Sequence, residues 1–262
     1  MPRLTKTAAA LIDASRALAD ACDRLAFADP VAHVYNPLRY AAGPHEQYLA
    51  RFGRGRKRVL LMGMNPGPWG MAQTGVPFGE VAAVRDFLGL DAPVDLLSGG
   101  LRTANRSSGG HPKRPIQGLD CPRSEVSGRR LWGLFAERFG DADAFFNDHG
   151  GHFIANYCPL VFMAHTARNL TPDKLPAAER EPLEQACDAH LAAVLDAVRP
   201  EFAIGVGKYA QGKLRRVIDT LGVHDLTVGT VLHPSPASPA ANRGWAEQAT
   251  RQLVEQGVWP AA

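Results

Sequence analysis

The chain has 262 residues, 45% hydrophobic and 21% charged, with a net charge of only +3, so it can build one large domain around a sizeable core. No run of 18 apolar residues occurs, which excludes an uninterrupted apolar membrane helix. Four cysteines (Cys22, Cys121, Cys158, Cys187) are widely spaced without a CxxC pair, which argues against a zinc site or a disulfide framework.

The N-terminal stretch lacks the unbroken apolar centre of a signal peptide, so a cytoplasmic protein is expected. Residues 7–27 carry Ala, Leu and Ile at spacings of three and four and predict a helix packed on the rest of the domain. "RFGRGRKR" (51–58) holds five basic residues and no acid. Val59–Met64 is an apolar run that predicts a buried parallel strand. It leads into "GMNPGPWGMAQTGVPFGE" (63–80), dense in glycine and proline, and then into a short helix over Glu80–Leu88.

Residues 91–126 are rich in Gly, Pro and Arg and too long for a plain connector, so they form a candidate functional loop. The segment 99–130 carries seven basic and two acidic residues, for +5. With residues 51–58 that makes +10, leaving −7 for the rest of the chain. Basic patches on a mildly acidic body suit a polyanion such as nucleic acid, although charge runs are more often solvated loops.

Ser127–Phe139 predicts a helix stopped by Gly140. "HFIANY" (152–157) predicts a second strand. A helix is expected across 171–200, with Thr171 as N-cap and Pro172 at its first position. "EFAIGVG" (201–207) is a third strand and is followed by a helix to about Leu221. "LTVGTVL" (226–232) is a fourth strand, ending at "HPSPASP", and a last helix runs from about Arg243 to Gln256.

Strands alternating with helices imply an α/β fold of three layers, α/β/α, with a central, mostly parallel four-stranded sheet. No domain boundary is evident, so residues 1–262 read as one domain with an N-terminal helix over 1–30. Ligands bind outside the carboxyl ends of such strands. Asn65, Asn156 and His233 follow or end three of the strands and are expected to meet at one edge.

"GMNPGPWGMAQTGVPFGE", "NYCPL" and "HPSPASPAANRGW" resemble the signature motifs of the single-strand-selective monofunctional uracil-DNA glycosylases, part of the uracil-DNA glycosylase superfamily. The similarity extends to "YNPLRYAAGPHEQY" (35–48), "HPKRPIQGLDCPRSEVSG" (111–128) and "RNLTPDKLP" (168–176). The resemblance implies hydrolysis of the deoxyuridine N-glycosidic bond in single- and double-stranded DNA, after the base has been flipped into a pocket. It assigns Asn65 to position the attacking water and His233 to stabilise the leaving base. Asn156 would read the uracil edge, and Phe78 would stack on the base. Met64, Gly67 and Met71 would line the pocket. 5-Hydroxymethyluracil is expected as a further substrate, with Trp69 standing where the family usually has Phe.

On the DNA side, the resemblance implies that Pro234, Ser235, Pro236 and Ala237 form a wedge loop. Ala237 replaces a usual arginine, which implies weaker action on well-paired duplex than on single strands. Arg168, Asn169 and Thr171 suit a phosphate contact. DNA is the expected partner, with no membrane, and the protein is expected to be a monomer. No cofactor or metal is expected, although "DHGGH" (148–152) has metal-ligand residue types. Each residue also has a plainer reading: a turn for Asn65, a cap or core position for His233, ordinary packing for Phe78. Two rivals are a glycosylase preferring hypoxanthine or xanthine and a non-catalytic binder of single-stranded DNA.

Overall fold

A computed structural model describes residues 4–103, 107–147 and 150–260. Its centre is a parallel sheet of four strands: β2 (Val59–Gly63), β4 (His152–Asn156), β7 (Phe202–Val206) and β8 (Thr227–Val231), in the order β4-β2-β7-β8. β2 is buried along its whole length, as a strand covered on both faces must be. The register sets Gly63 of β2 beside Asn156 of β4 and Val206 of β7 beside Val231 of β8. All four carboxyl ends therefore lie at one edge.

Helices flank this sheet. α1 (Lys6–Arg24) starts where Thr5 Oγ1 accepts the Ala8 N–H at 3.2 Å. Its apolar stripe of Leu11, Ile12, Leu18, Ala19 and Cys22 packs on α7 (Ala177–Val198) and α3 (Ala42–Phe52). α8 (Lys208–Leu221) covers β7 and β8, while α5 (Val126–Phe139) packs on α6 (Ala142–Phe146) and α9 (Trp245–Glu255). One contiguous apolar cluster runs through these elements. No helix among the described residues is long and apolar enough to cross a membrane.

The four expected strands are present. A second, antiparallel sheet was not foreseen: β1 (His33–Tyr35), β3 (Leu101–Thr103), β5 (Val161–Met163) and β6 (Asn169–Leu170), in the order β3-β1-β5-β6. Strands of two or three residues are too short to show an alternating pattern. The sheet draws part of the 91–126 segment into regular pairing, since β3 is one of its edges. α2 (Pro37–Tyr40), α3 and α4 (Met71–Thr74) were also missed.

Two helix boundaries differ from expectation. Thr171-Pro172 opens only a 3-10 turn, Pro172–Lys174, and α7 begins at Ala177. Leu175 precedes Pro176, and the proline ring forces it into extended backbone (φ −73°, ψ 146°), which breaks the helix. After Glu80 the chain makes one wide π turn over Ala83–Phe87, begun by Glu80 Oε2 accepting the Ala83 N–H at 3.1 Å.

The basic run 51–58 lies before β2, at the opposite edge from the strand carboxyl ends. Its side chains staple loops together. Arg51 donates to Leu88 O at 2.8 Å, Arg56 to Arg199 O at 2.9 Å and Arg58 to Val258 O at 2.7 Å. Lys57 is wholly buried and donates to Phe146 O and Asn147 O.

Candidate active site

A cleft of about 660 Å³ opens at the carboxyl edge of the parallel sheet. Met64, Asn65, Gly67, Phe78, Asn156, Asn169, Thr171, His233, Ser235, Pro236 and Ala237 all line it, so residues from positions 64 to 237 meet in one place. Three expected site residues do not. Met71 is buried behind the wall, with its sulfur 3.2 Å from Asn156 Nδ2. Pro234 is buried, and Arg168 is exposed outside the cleft.

Asn65 lies two residues past β2. Its Nδ2 faces two backbone carbonyls, Leu160 O at 3.3 Å and Pro66 O at 3.5 Å. Carbonyls only accept, so the nitrogen must point at them, and Oδ1 is the group the side chain can offer to the cleft.

His233 lies two residues past β8. Its Nδ1 accepts the Ser235 N–H at 3.1 Å, which places the proton of the neutral ring on Nε2. Burial alone lowers its pKa from the ordinary histidine value, so the ring is a neutral N–H donor at neutral pH. Its loop is braced from α5. Arg130 donates to Pro234 O at 3.1 Å and to Asn242 Oδ1 at 2.9 Å, and Asn242 Nδ2 returns to Pro236 O at 2.9 Å.

Phe78 takes a left-handed backbone (φ 53°), strained for a side chain of this size. The strain is held by its carbonyl, which accepts the Trp132 indole N–H at 3.1 Å and the Glu80 N–H at 2.7 Å. Its ring centroid lies 6.3 Å from that of His233. Gly63 makes this packing possible: a Cβ there would fall 2.3 Å from Asn156 Oδ1 and 2.6 Å from the Phe78 ring.

Glu125, just before α5, also lines the cleft and was not singled out from the sequence. Its carboxylate lies under the 67–70 loop, so close that a Cβ on Gly67 would meet Oε2 at 2.0 Å. Trp69 N–H donates to it at 3.3 Å. Burial pushes its pKa up to about 7, against the lowering effect of the Trp69 and Gly70 amides, and Glu80 adds to the rise. A glutamate before a helix looks like ordinary capping chemistry, and only the tertiary contact with Gly67 marks it. Trp69 lines the cleft too, with the Arg114 guanidinium 5.0 Å and the Arg123 guanidinium 4.7 Å from its ring centroid.

No group of three His, Cys, Asp or Glu residues that could hold a metal occurs among the described residues. Asp148 and His149 of "DHGGH" lie outside them. His152 is a core residue: Nε2 accepts the Trp259 N–H at 2.9 Å, Nδ1 faces Phe145 O at 3.2 Å, and burial lowers its pKa to about 4.

The cleft thus offers an aromatic face, an amide edge, a neutral imidazole donor and an amide oxygen. That set suits a planar heterocycle carrying carbonyls and N–H groups.

Residues 50–255 match the family model described as the uracil DNA glycosylase superfamily. The chain is 46% identical over 243 residues to the single-strand selective monofunctional uracil DNA glycosylase of Bos taurus, covering 93% of this chain and 84% of that one. It is also 46% identical over 237 residues to the Mus musculus protein of the same name, covering 90% and 80%. The crystal structure of wild-type SMUG2 from Pedobacter heparinus superposes with a TM-score of 0.60 at 16% identity, over 91% of this chain and 96% of that one, a likeness of fold.

Proposed function

The chain belongs to the uracil DNA glycosylase superfamily and to its single-strand selective monofunctional branch, and from that premise we propose that it removes uracil from DNA by hydrolysing the N-glycosidic bond. The observation that carries this reading is the meeting of Asn65, Phe78, Asn156 and His233 in one cleft at the strand carboxyl edge. The four come from three separate stretches of the sequence, around residues 65–78, 156 and 233, and together they offer the contacts that base removal needs.

In this reading the uracil slides onto the face of Phe78 and its edge meets the Asn156 amide. The amide offers a donor to O4 and an acceptor to N3–H; cytosine presents the reverse pattern and leaves both groups unpaired. The leaving base gathers negative charge on O2. His233 donates from Nε2 to that oxygen, already oriented by the Ser235 N–H. Asn65 Oδ1 accepts a hydrogen bond from the attacking water and holds the water's lone pair toward the sugar; as the C–O bond forms and the glycosidic C–N bond breaks, the water's proton passes to solvent and the electron pair leaves with the base. An amide takes no proton, so the rate rests on stabilising the leaving base. 5-Hydroxymethyluracil is proposed as a further substrate. The protein is read as a monomer that needs no cofactor and meets DNA in the cytoplasm, or in the nucleus of a eukaryotic cell.

The test is base release from a single-stranded oligonucleotide containing one uracil, under single turnover. Wild type is expected to release uracil, with Asn65→Ala and His233→Ala each slower by roughly 100- to 1000-fold. Tight DNA binding with no release would sink the reading in favour of a binding protein. Release from hypoxanthine- or xanthine-containing strands alone would favour the purine-directed alternative.

A further inference from the structure

We propose that Arg114 and Arg123, seated on Trp69 at the mouth of the cleft, form a two-pronged phosphate clamp for the DNA strand that carries the extruded nucleotide. This rests on the glycosylase reading and adds an interaction surface to it.

The two arginines come from the long 91–126 segment and converge on one indole, each guanidinium about a ring's width from its centroid. Stacking on an aromatic face fixes the plane of a guanidinium and leaves its N–H edge pointing outward, the geometry that a phosphate accepts in bidentate fashion. Their remaining bonds leave that edge available. Arg114 uses only Nε, donating to Ala167 O at 3.1 Å, and Arg123 makes no side-chain hydrogen bond or ion pair among the described residues. Glu125 meets the Trp69 backbone N–H beneath the loop.

Two unneutralised cations held against one ring repel each other, and a bound phosphate would relieve that repulsion. The arginines of 51–58 lie away from the cleft, at the far edge of the sheet, where Arg51, Arg56 and Arg58 donate to carbonyls. Of these two basic stretches, the later one sets two arginines on an indole that lines the cleft. Trp69 itself lines the cleft, so a phosphate held there flanks the nucleotide entering it.

The experiment measures binding of a uracil-free single-stranded 20-mer by fluorescence anisotropy between 50 and 200 mM salt, as a probe length and range of about those values. Arg114→Gln and Arg123→Gln are each expected to weaken binding and to lower the slope of log affinity against log salt by about 0.7, and the double variant by about 1.4. The single-turnover rate at subsaturating enzyme should fall in step with the affinity. Arg114→Lys/Arg123→Lys keeps both charges and should keep most of the slope, which separates phosphate contact from simple support of Trp69. An unchanged slope in the folded double glutamine variant overturns the proposal, as does loss of rate without loss of slope. Failure of the glycosylase reading would show separately, as a wild type that binds the strand and releases no uracil from its uracil-containing counterpart.

Discussion

At Asn65 the side-chain nitrogen has two carbonyls to satisfy, Leu160 O and Pro66 O. An aspartate there would set a carboxylate against both, so the position favours an amide on structural grounds. Gly63 is equally constrained. Gly63→Ala should fold, because the strand tolerates alanine, yet displace the Asn156 amide and the Phe78 ring together. A loss of base release of about 100-fold or more is expected under single turnover, and a rate near wild type would contradict the packing argument.

Glu125 makes a pH-dependent statement. Its folded pKa of about 7 lies above that of a free glutamate, so the folded protein holds a proton that the unfolded chain has already lost. The stabilising share is complete below the unfolded value and disappears as pH rises through about 7. Above that it amounts to a penalty of at most about 3 kcal/mol. Glu125→Gln removes the charge and keeps the shape. Its melting temperature relative to wild type should therefore be higher at pH 8 than at pH 5, as about the two sides of the titration. A difference that does not change with pH would refute the assignment.

Among the elements, the loop after β8 is braced at several points. Ser235 fixes the His233 tautomer, while Arg130 on α5 and Asn242 hold the loop's carbonyls. Arg130→Ala should slow base release by about tenfold through a less well placed imidazole, with the melting temperature little affected because the lost bonds are partly exposed. A large drop in melting temperature instead would show the contact to be part of the core. Ala237 is exposed at the tip of this loop and lines the cleft. Ala237→Arg should raise activity on paired duplex several-fold, on the order of the unstacking energy a wedge offsets, and leave single-strand activity unchanged. An equal effect on both substrates would sink the wedge role.

Across the whole molecule, positive charge divides into two kinds. The 51–58 run holds the amino edge of the sheet together, and Lys57 is its buried member. Lys57→Met should cost about 1–3 kcal/mol by leaving the Phe146 carbonyl unsatisfied, read as a shift in the denaturation midpoint. Arg56→Gln/Arg58→Gln should leave the salt dependence of DNA binding as it is. A reduced slope would mean that this edge also touches DNA.

The sequence by itself determined the four parallel strands, the chain order of most helices and that Asn65, Asn156 and His233 would meet at one edge of the sheet. Apolar runs long enough to show a period, and glycine, proline, asparagine and histidine packed just past strand ends, are local signals that survive without coordinates. Tertiary structure alone decided the rest. Strands of two or three residues form the second sheet only because partners distant in sequence complete their hydrogen bonds. Arginines read alike in sequence, yet Arg51, Arg56 and Arg58 lie at the amino edge of the sheet while Arg114 and Arg123 lie on an indole that lines the cleft. Glu125 became notable only when the chain closed over its carboxylate, because burial and charge proximity depend on what folds against a residue and not on its neighbours along the chain.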